Sequence, residues 1–224
     1  MKSRRGIAVV ITTFNSENYL EEAIKSVFAQ NLLPDEFVII DNGSTDDTQR
    51  ISEKFSIPYF IQTEGQVGES RNMGIRNTTA PLIKFLDGDD FLMTNALEDL
   101  YHGYLASNSE LVYGKNLNFV DFKGVDQDQK SFEHTITPIH TAMSLNSLLQ
   151  RSCFTKYGLP DQDNHSWNRW LMKAKASGLT MHRIEEVVGQ RRIHDSNISH
   201  NAASKRELFE LIATNLKSQH TQHE

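Results

Sequence analysis

The sequence predicts an α/β fold with a Rossmann-like, mostly parallel central sheet flanked by helices. Three observations carry that expectation. Short, continuous apolar runs recur along the first hundred residues, as buried parallel strands require. Segments with apolar residues at helical spacing separate them. Polar and acidic residues cluster just after the apolar runs, at the strand ends where open α/β sheets place their ligands.

Taken in order, Ile7–Ile11 reads as a central strand. Leu20, Ala23, Ile24, Val27 and Phe28 form the apolar stripe of a following helix, closed by Asn31 and Pro34. Phe37–Ile40 is a second strand. Ser44 then fits a helix N-cap, with Asp47 three residues on, and Ile51 and Phe55 continue that helix. Tyr59–Ile61 is a short third strand, Val67–Arg76 a helix, and Pro81–Leu86 a fourth strand with Pro at its start. Thr94 is placed to cap a helix whose stripe is Leu97, Leu100, Tyr101, Tyr104 and Leu105. Such βα units imply a sheet covered by helices.

Beyond Glu110 the pattern changes. Leu111–Tyr113 and Asn118–Phe122 read as two strands, Lys123-Gly124 as a turn and Asp126–Thr137 as a loop. Trp167, Trp170, Leu171 and Ala174 share a helical face, Met181–Val188 suits a strand, and Leu208, Leu211, Ile212 and Leu216 suit an amphipathic helix. This divides the chain into a first half (1–105), a second half of the same domain (106–200), and a C-terminal helix with a polar tail (201–224).

The 224 residues carry 23 Lys+Arg against 29 Asp+Glu, a formal charge of −6, which argues against nucleic acid as a partner. Cys153 stands alone, so neither an intrachain disulfide nor a Cys metal cluster is available, and a reducing compartment fits. The apolar run after the basic N-terminus is too short for a signal-peptide core, and no stretch approaches a membrane span. The expected setting is the cytoplasm, with the inner face of the membrane as the alternative.

Thr12-Thr13-Phe14-Asn15 ends the first strand, Asp41-Asn42-Gly43-Ser44-Thr45-Asp46-Asp47 the second, and Asp87-Gly88-Asp89-Asp90 the fourth. Three carboxylates within four residues at a buried strand end repel unless neutralised. A divalent cation with oxygen ligands, Mg²⁺ or Mn²⁺, does this while also holding phosphates; a solvated acidic turn with an Asp cap is the alternative. Thr12 equally suits a strand-end cap, Phe14 a core residue, and Arg71 a helix-surface ion pair. Asp46 and Asp47 read as capping residues, and Gly68 and Gly74 as turn or packing glycines.

These segments, with Gly68-Glu69-Ser70-Arg71-Asn72-Met73-Gly74-Ile75 between them, occur in an order that resembles the family 2 glycosyltransferases of the GT-A fold. The resemblance covers about Gly6 to Leu105 and runs more weakly to Ser199. It implies a GT-A sheet with a smaller mixed α/β acceptor region, a nucleotide-diphospho-sugar donor, most often UDP-linked, a divalent metal (Mn²⁺ or Mg²⁺), and inversion at the anomeric carbon. The acceptor it implies is a glycan, or a lipid- or protein-linked sugar.

By the same resemblance, Thr12, Phe14 and Asn15 belong to the nucleoside site. Asp41 and Asn42 face the base, and Gly68, Arg71 and Gly88 lie along the donor. Asp87 approaches ribose and metal, and Asp89 is the metal ligand. In the Arg-x-His stretch, Arg192 is placed to neutralise phosphate and His194 to approach the metal, or both belong to a surface loop. The sequence departs from the family where Asn42 replaces a common second Asp and Thr13 replaces Pro. It departs again at the catalytic base. Aligning the tryptophans puts His165-Ser166 where Glu-Asp is usual, leaving His165, Asp163 and Ser166 as candidates. A non-catalytic member that only binds a nucleotide sugar or a partner is the competing reading. A nucleotidyltransferase lacks its Gly-rich phosphate loop here, and a dinucleotide oxidoreductase lacks Gly-x-Gly-x-x-Gly.

Overall fold

In the computed structural model, residues 5–63, 66–121 and 142–194 are described. The expected turn at Lys123-Gly124, the loop Asp126–Thr137, Asp195–Ser199 and the C-terminal helix lie outside them. Among the described residues no helix is long and apolar enough to cross a membrane.

The elements run β1 (Ile7–Thr13), α1 (Leu20–Phe28), β2 (Glu36–Asp41), α2 (Thr48–Glu53), β3 (Tyr59–Ile61), α3 (Val67–Arg76), β4 (Leu82–Asp87), β5 (Phe91–Leu92), α4 (Ala96–Ser107), β6 (Leu111–Val120), β7 (Ser147–Gln150), α5 (Ser152–Tyr157), α6 (Ser166–Ala176) and β8 (Met181–Ile193). They build one mixed sheet of order β3-β2-β1-β4-β7-β6-β8-β5. The strands from β3 to β4 are parallel, β7 runs antiparallel to both β4 and β6, and β8 is parallel to β6. This is the GT-A arrangement: a curled α/β sheet flanked by helices.

Strand β1 is central because all seven of its residues are buried. Its side chains alternate between two cores, as the two-residue period demands. Ile7, Val9 and Ile11 pack with α1 and α4 on one face, while Val10 joins Val38, Ile40 and Phe85 on the other, under α5 and α6. Gly74 lets α3 press onto that second face, since a Cβ there would sit 2.3 Å from Val10 Cγ1.

Four expectations need correction. Ser44 does not cap α2; Asp47 occupies that place, because the Ser44 hydroxyl is drawn 2.5 Å from Asp41 Oδ1. Helix α4 starts after Asn95 rather than Thr94. The two strands expected beyond Glu110 are one, β6, whose register against β8 shifts around Lys115. Strand β8 also extends to Ile193, so Arg192 lies on a strand and not in a surface loop. The two-residue β5 pairs Phe91 with Gln190 and Leu92 with Gly189, which brings the turn after β4 beside the end of β8.

Candidate active site

The carboxyl ends of β1 and β4 are register partners at Thr12 and Asp87. Thr12 Oγ1 donates to Asp87 Oδ1 at 3.1 Å, and Arg71 Nη2 reaches the same oxygen at 3.0 Å. Arg71 comes from the buried side of α3 and also donates to Ser144 Oγ at 3.2 Å, leaving its buried Nε without a partner. Ser144 is held in turn by Lys84, whose ammonium donates to the carbonyls of Phe85, Ser144 and Leu145. Burial pushes Lys84 down to about 7, while the charges of Asp87 and Asp90 pull it back up. Gly88 is required where it stands: a Cβ would meet Thr13 Oγ1 at 2.6 Å.

At the end of β2, the Asp41 side chain turns into its own loop. The residue is only 2% exposed and accepts from Ser44 N at 3.2 Å, Ser44 Oγ at 2.5 Å and Tyr59 Oη at 2.5 Å. Asp41 therefore shapes the loop rather than offering a free carboxylate. Burial, then the bond to Asp41, drives the Tyr59 phenol upward, so it stays a donor. The loop is stapled to β1: Asn42 N donates to Thr13 O at 2.8 Å, Asn15 N to Ser44 Oγ at 2.8 Å, and Thr45 N to Asn15 Oδ1 at 2.9 Å. Asn15 takes φ 47°, a left-handed conformation that Asn tolerates. Asn42 Oδ1 accepts from Ser70 Oγ on α3 at 3.4 Å. Phe14 is 49% exposed at the rim, not core.

The turn after β4 meets the end of β8 through two residues. His194 Nε2 lies 3.1 Å from Asp89 Oδ2, with the Tyr19 ring 4.6 Å from the imidazole. Arg192, 4% exposed, straps the turn: its backbone N–H donates to Asp90 Oδ1 at 2.8 Å and its Nε to Asp89 O at 3.0 Å. Its other nitrogens pair with Glu22 and Asp121, and its guanidinium sits 4.7 Å from both the Tyr19 and Phe119 rings. Arg192 is thus enclosed by carboxylates and aromatic rings at the turn where a phosphate-neutralising role was expected for it. Burial, then the charges of Asp89 and Asp87, push Asp90 well above the usual carboxylate range.

The candidate base residues lie in the loop before α6, which docks on α3. A Cβ on Gly68 would fall 2.0 Å from Asp161 O and 2.7 Å from Ser166 Oγ. Ser166 is fully buried at the start of α6, and its hydroxyl has no hydrogen-bond partner among the described residues. Asp163 accepts from His165 N at 2.9 Å and forms an ion pair with Arg169. His165 is half-buried just before α6. Ser144, Ser70, Tyr19, Glu22 and Asp121 escaped sequence reading. They are single polar or aromatic residues whose roles depend on distant partners.

The resemblance drawn from the sequence implies a divalent ion. Among the described residues no group of three or more His, Cys, Asp or Glu is gathered for one. Asp89 and His194 supply a carboxylate and an imidazole side by side, a donor pair that suits Mn²⁺ or Mg²⁺ completed by ligand phosphates.

The family described as glycosyl transferase family 2 matches residues 8–175. An uncharacterized glycosyltransferase of Rickettsia typhi is 26% identical over 223 residues, covering 92% of this chain and 70% of that protein. Among solved structures, residues 1–349 of Staphylococcus aureus TarS with UDP-GlcNAc superpose with a TM-score of 0.70 at 19% identity, over 88% of this chain and 61% of that one. Glucosyl-3-phosphoglycerate synthase of Mycobacterium tuberculosis, solved with Mn²⁺, UDP and phosphoglyceric acid, gives 0.67 at 17% identity, over 96% of this chain and 79% of that one. With three-quarters of its length matched and this sheet around its strand-end motifs, the chain belongs to glycosyl transferase family 2.

Proposed function

We propose that the chain transfers a sugar, with inversion, from a UDP-linked donor to a glycan or a lipid- or protein-linked sugar, using a divalent metal. The observation that carries this is the Asp89–His194 pair, 3.1 Å apart, beside the Thr12–Asp87–Arg71 cluster. Asp89 and His194 would hold the ion, which when bound would supply charge neutralisation for the leaving diphosphate, while Asp87 stays with Thr12 and Arg71. Arg71 fixes Asp87 and offers its unmatched Nε edge to the donor. Phe14 and Asn42 line the nucleoside side.

In the transfer, an acceptor hydroxyl oxygen bonds to the anomeric carbon as the bond to the diphosphate oxygen breaks. The bonding pair leaves with the diphosphate and the hydroxyl proton passes to a base. We assign that base to His165, because Asp163 is held by Arg169 and Ser166 is buried. Those same two facts favour the rival, a nucleotide-sugar binder without turnover. A cytoplasmic setting, free or at the inner face of the membrane, accompanies the donor assignment.

Release of UDP from UDP-sugars with Mn²⁺ tests the proposal. Turnover falling about a hundredfold or more in Asp89→Asn is expected. UDP binding without any release, across several donors and acceptors, would favour the rival.

A further inference from the structure

Gln62 is 3% exposed, yet among the described residues neither its amide nitrogen nor its carbonyl oxygen has a hydrogen-bond partner. A carboxamide buried in that state weakens the fold that contains it. Its retention calls for a partner from outside the chain.

Its place says which partner. Strand β3 ends at Ile61, but the ladder runs one bond further, with Gln62 N donating to Asp41 O at 2.7 Å. Asp41 and Ile61 are register partners, so Asn42 and Gln62 form the next pair, on the opposite face of the sheet. That is the α3 face: Phe60, two residues back, packs there, and Asn42 Oδ1 meets Ser70 of α3. Two carboxamides therefore occupy one face of neighbouring strand ends. Three strand spacings separate β3 from β4, so this corner lies roughly 14 Å along the edge from Asp87. That is the scale of a nucleoside diphosphate from base to terminal phosphate.

We propose that Gln62 reads the nucleobase of the donor, its carboxamide forming paired hydrogen bonds with the edge of a pyrimidine. Uracil presents a ring N–H beside a carbonyl. A carboxamide meets that combination with its own carbonyl and NH₂, as side-chain amides do with base edges elsewhere. The inference rests on the nucleotide-sugar reading and deepens it: the missing second Asp at position 42 is answered by an amide pair, with Asn42 alongside.

The test is calorimetric titration of UDP and of inorganic pyrophosphate, each with Mn²⁺, into the wild type and Gln62→Met, with thermal melts of both proteins alone. Methionine keeps the length of the side chain and removes its hydrogen bonds; Gln62→Leu repeats the comparison should that variant not fold. UDP affinity should fall about tenfold or more. Pyrophosphate affinity should not change, and the melting temperature should hold or rise, because an unpaired buried amide has been removed. Unchanged UDP affinity in the variant overturns the inference and leaves the donor reading standing. Parallel loss of UDP and pyrophosphate binding with a lower melting temperature also overturns it, marking Gln62 as structural. A wild type that binds no UDP overturns the donor reading and this inference with it.

Discussion

Arg71 and Arg192 are both buried cations at one sheet edge, and their surroundings give them different tasks. Arg71 is bonded to Asp87 and Ser144, and its buried Nε has no hydrogen-bond partner among the described residues. Arg192 is enclosed by Glu22, Asp121 and two aromatic rings. Glu110 shows how much one carboxylate can carry away from the site, accepting from Lys156 Nζ at 2.7 Å, Tyr157 Oη at 2.8 Å and Thr180 N at 3.0 Å. Burial alone would raise its pKa, but the bonds from Lys156, Thr180 and Tyr157 outweigh that and hold it at about 2, against an ordinary 4.5. Its folded value lies below its unfolded one. Its contribution is therefore complete above pH 4.5 and lost as the pH falls toward about 2. Urea denaturation should show Glu110→Gln losing about 1–3 kcal/mol at pH 7. The variant should also lose less stability than the wild type on acidification through that window. An acid slope equal to that of the wild type would contradict this account. The residue types at the strand ends were legible in the sequence, but the enclosure of Arg192 was not. Its partners Asp121 and Glu22 lie 71 and 170 positions away, and no local pattern encodes such a meeting.

At the scale of elements, β3 and α3 match their expected bounds, β3 as a short apolar run and α3 as a helix opened by glycine-containing turn chemistry. Strand β6 read as two because Gly114-Lys115-Asn116 breaks its apolar pattern, at the place where its register with β8 also shifts. Strand β5 has only two residues and exists through pairing with β8. Strand β7 and helix α5, four and six residues long, are too short for periodicity to announce. The contact with most functional weight is that of α3 with the loop before α6, and Gly68 permits it. In Gly68→Ala the new methyl would lie 2.0 Å from Asp161 O, a backbone atom that cannot swing aside. The variant should lose about 1–3 kcal/mol in denaturation. It should also lose UDP-sugar turnover more severely than UDP affinity, because the base loop moves while the nucleoside loops do not. Wild-type turnover in this variant would contradict the placement of His165.

Across the whole molecule, the sheet does not stop where the donor-side motifs end. Strand β8, from the second half, pairs with β5 of the first and delivers His194 to Asp89. The formal charge of −6 is thus a poor guide to the site itself. Arg71 and Arg192 are buried among its carboxylates, and burial pushes the Asp90 carboxyl well above the usual carboxylate range. Under the proposed function, such an edge would take a phosphate-bearing ligand together with a cation. The measurement that tests this most directly is a thermal-shift panel of UDP, GDP, CDP and dTDP, each with and without Mn²⁺. The account predicts the largest rise for UDP with Mn²⁺, about 5–10 °C at a hundredfold excess over Kd. No rise with any nucleotide would contradict it.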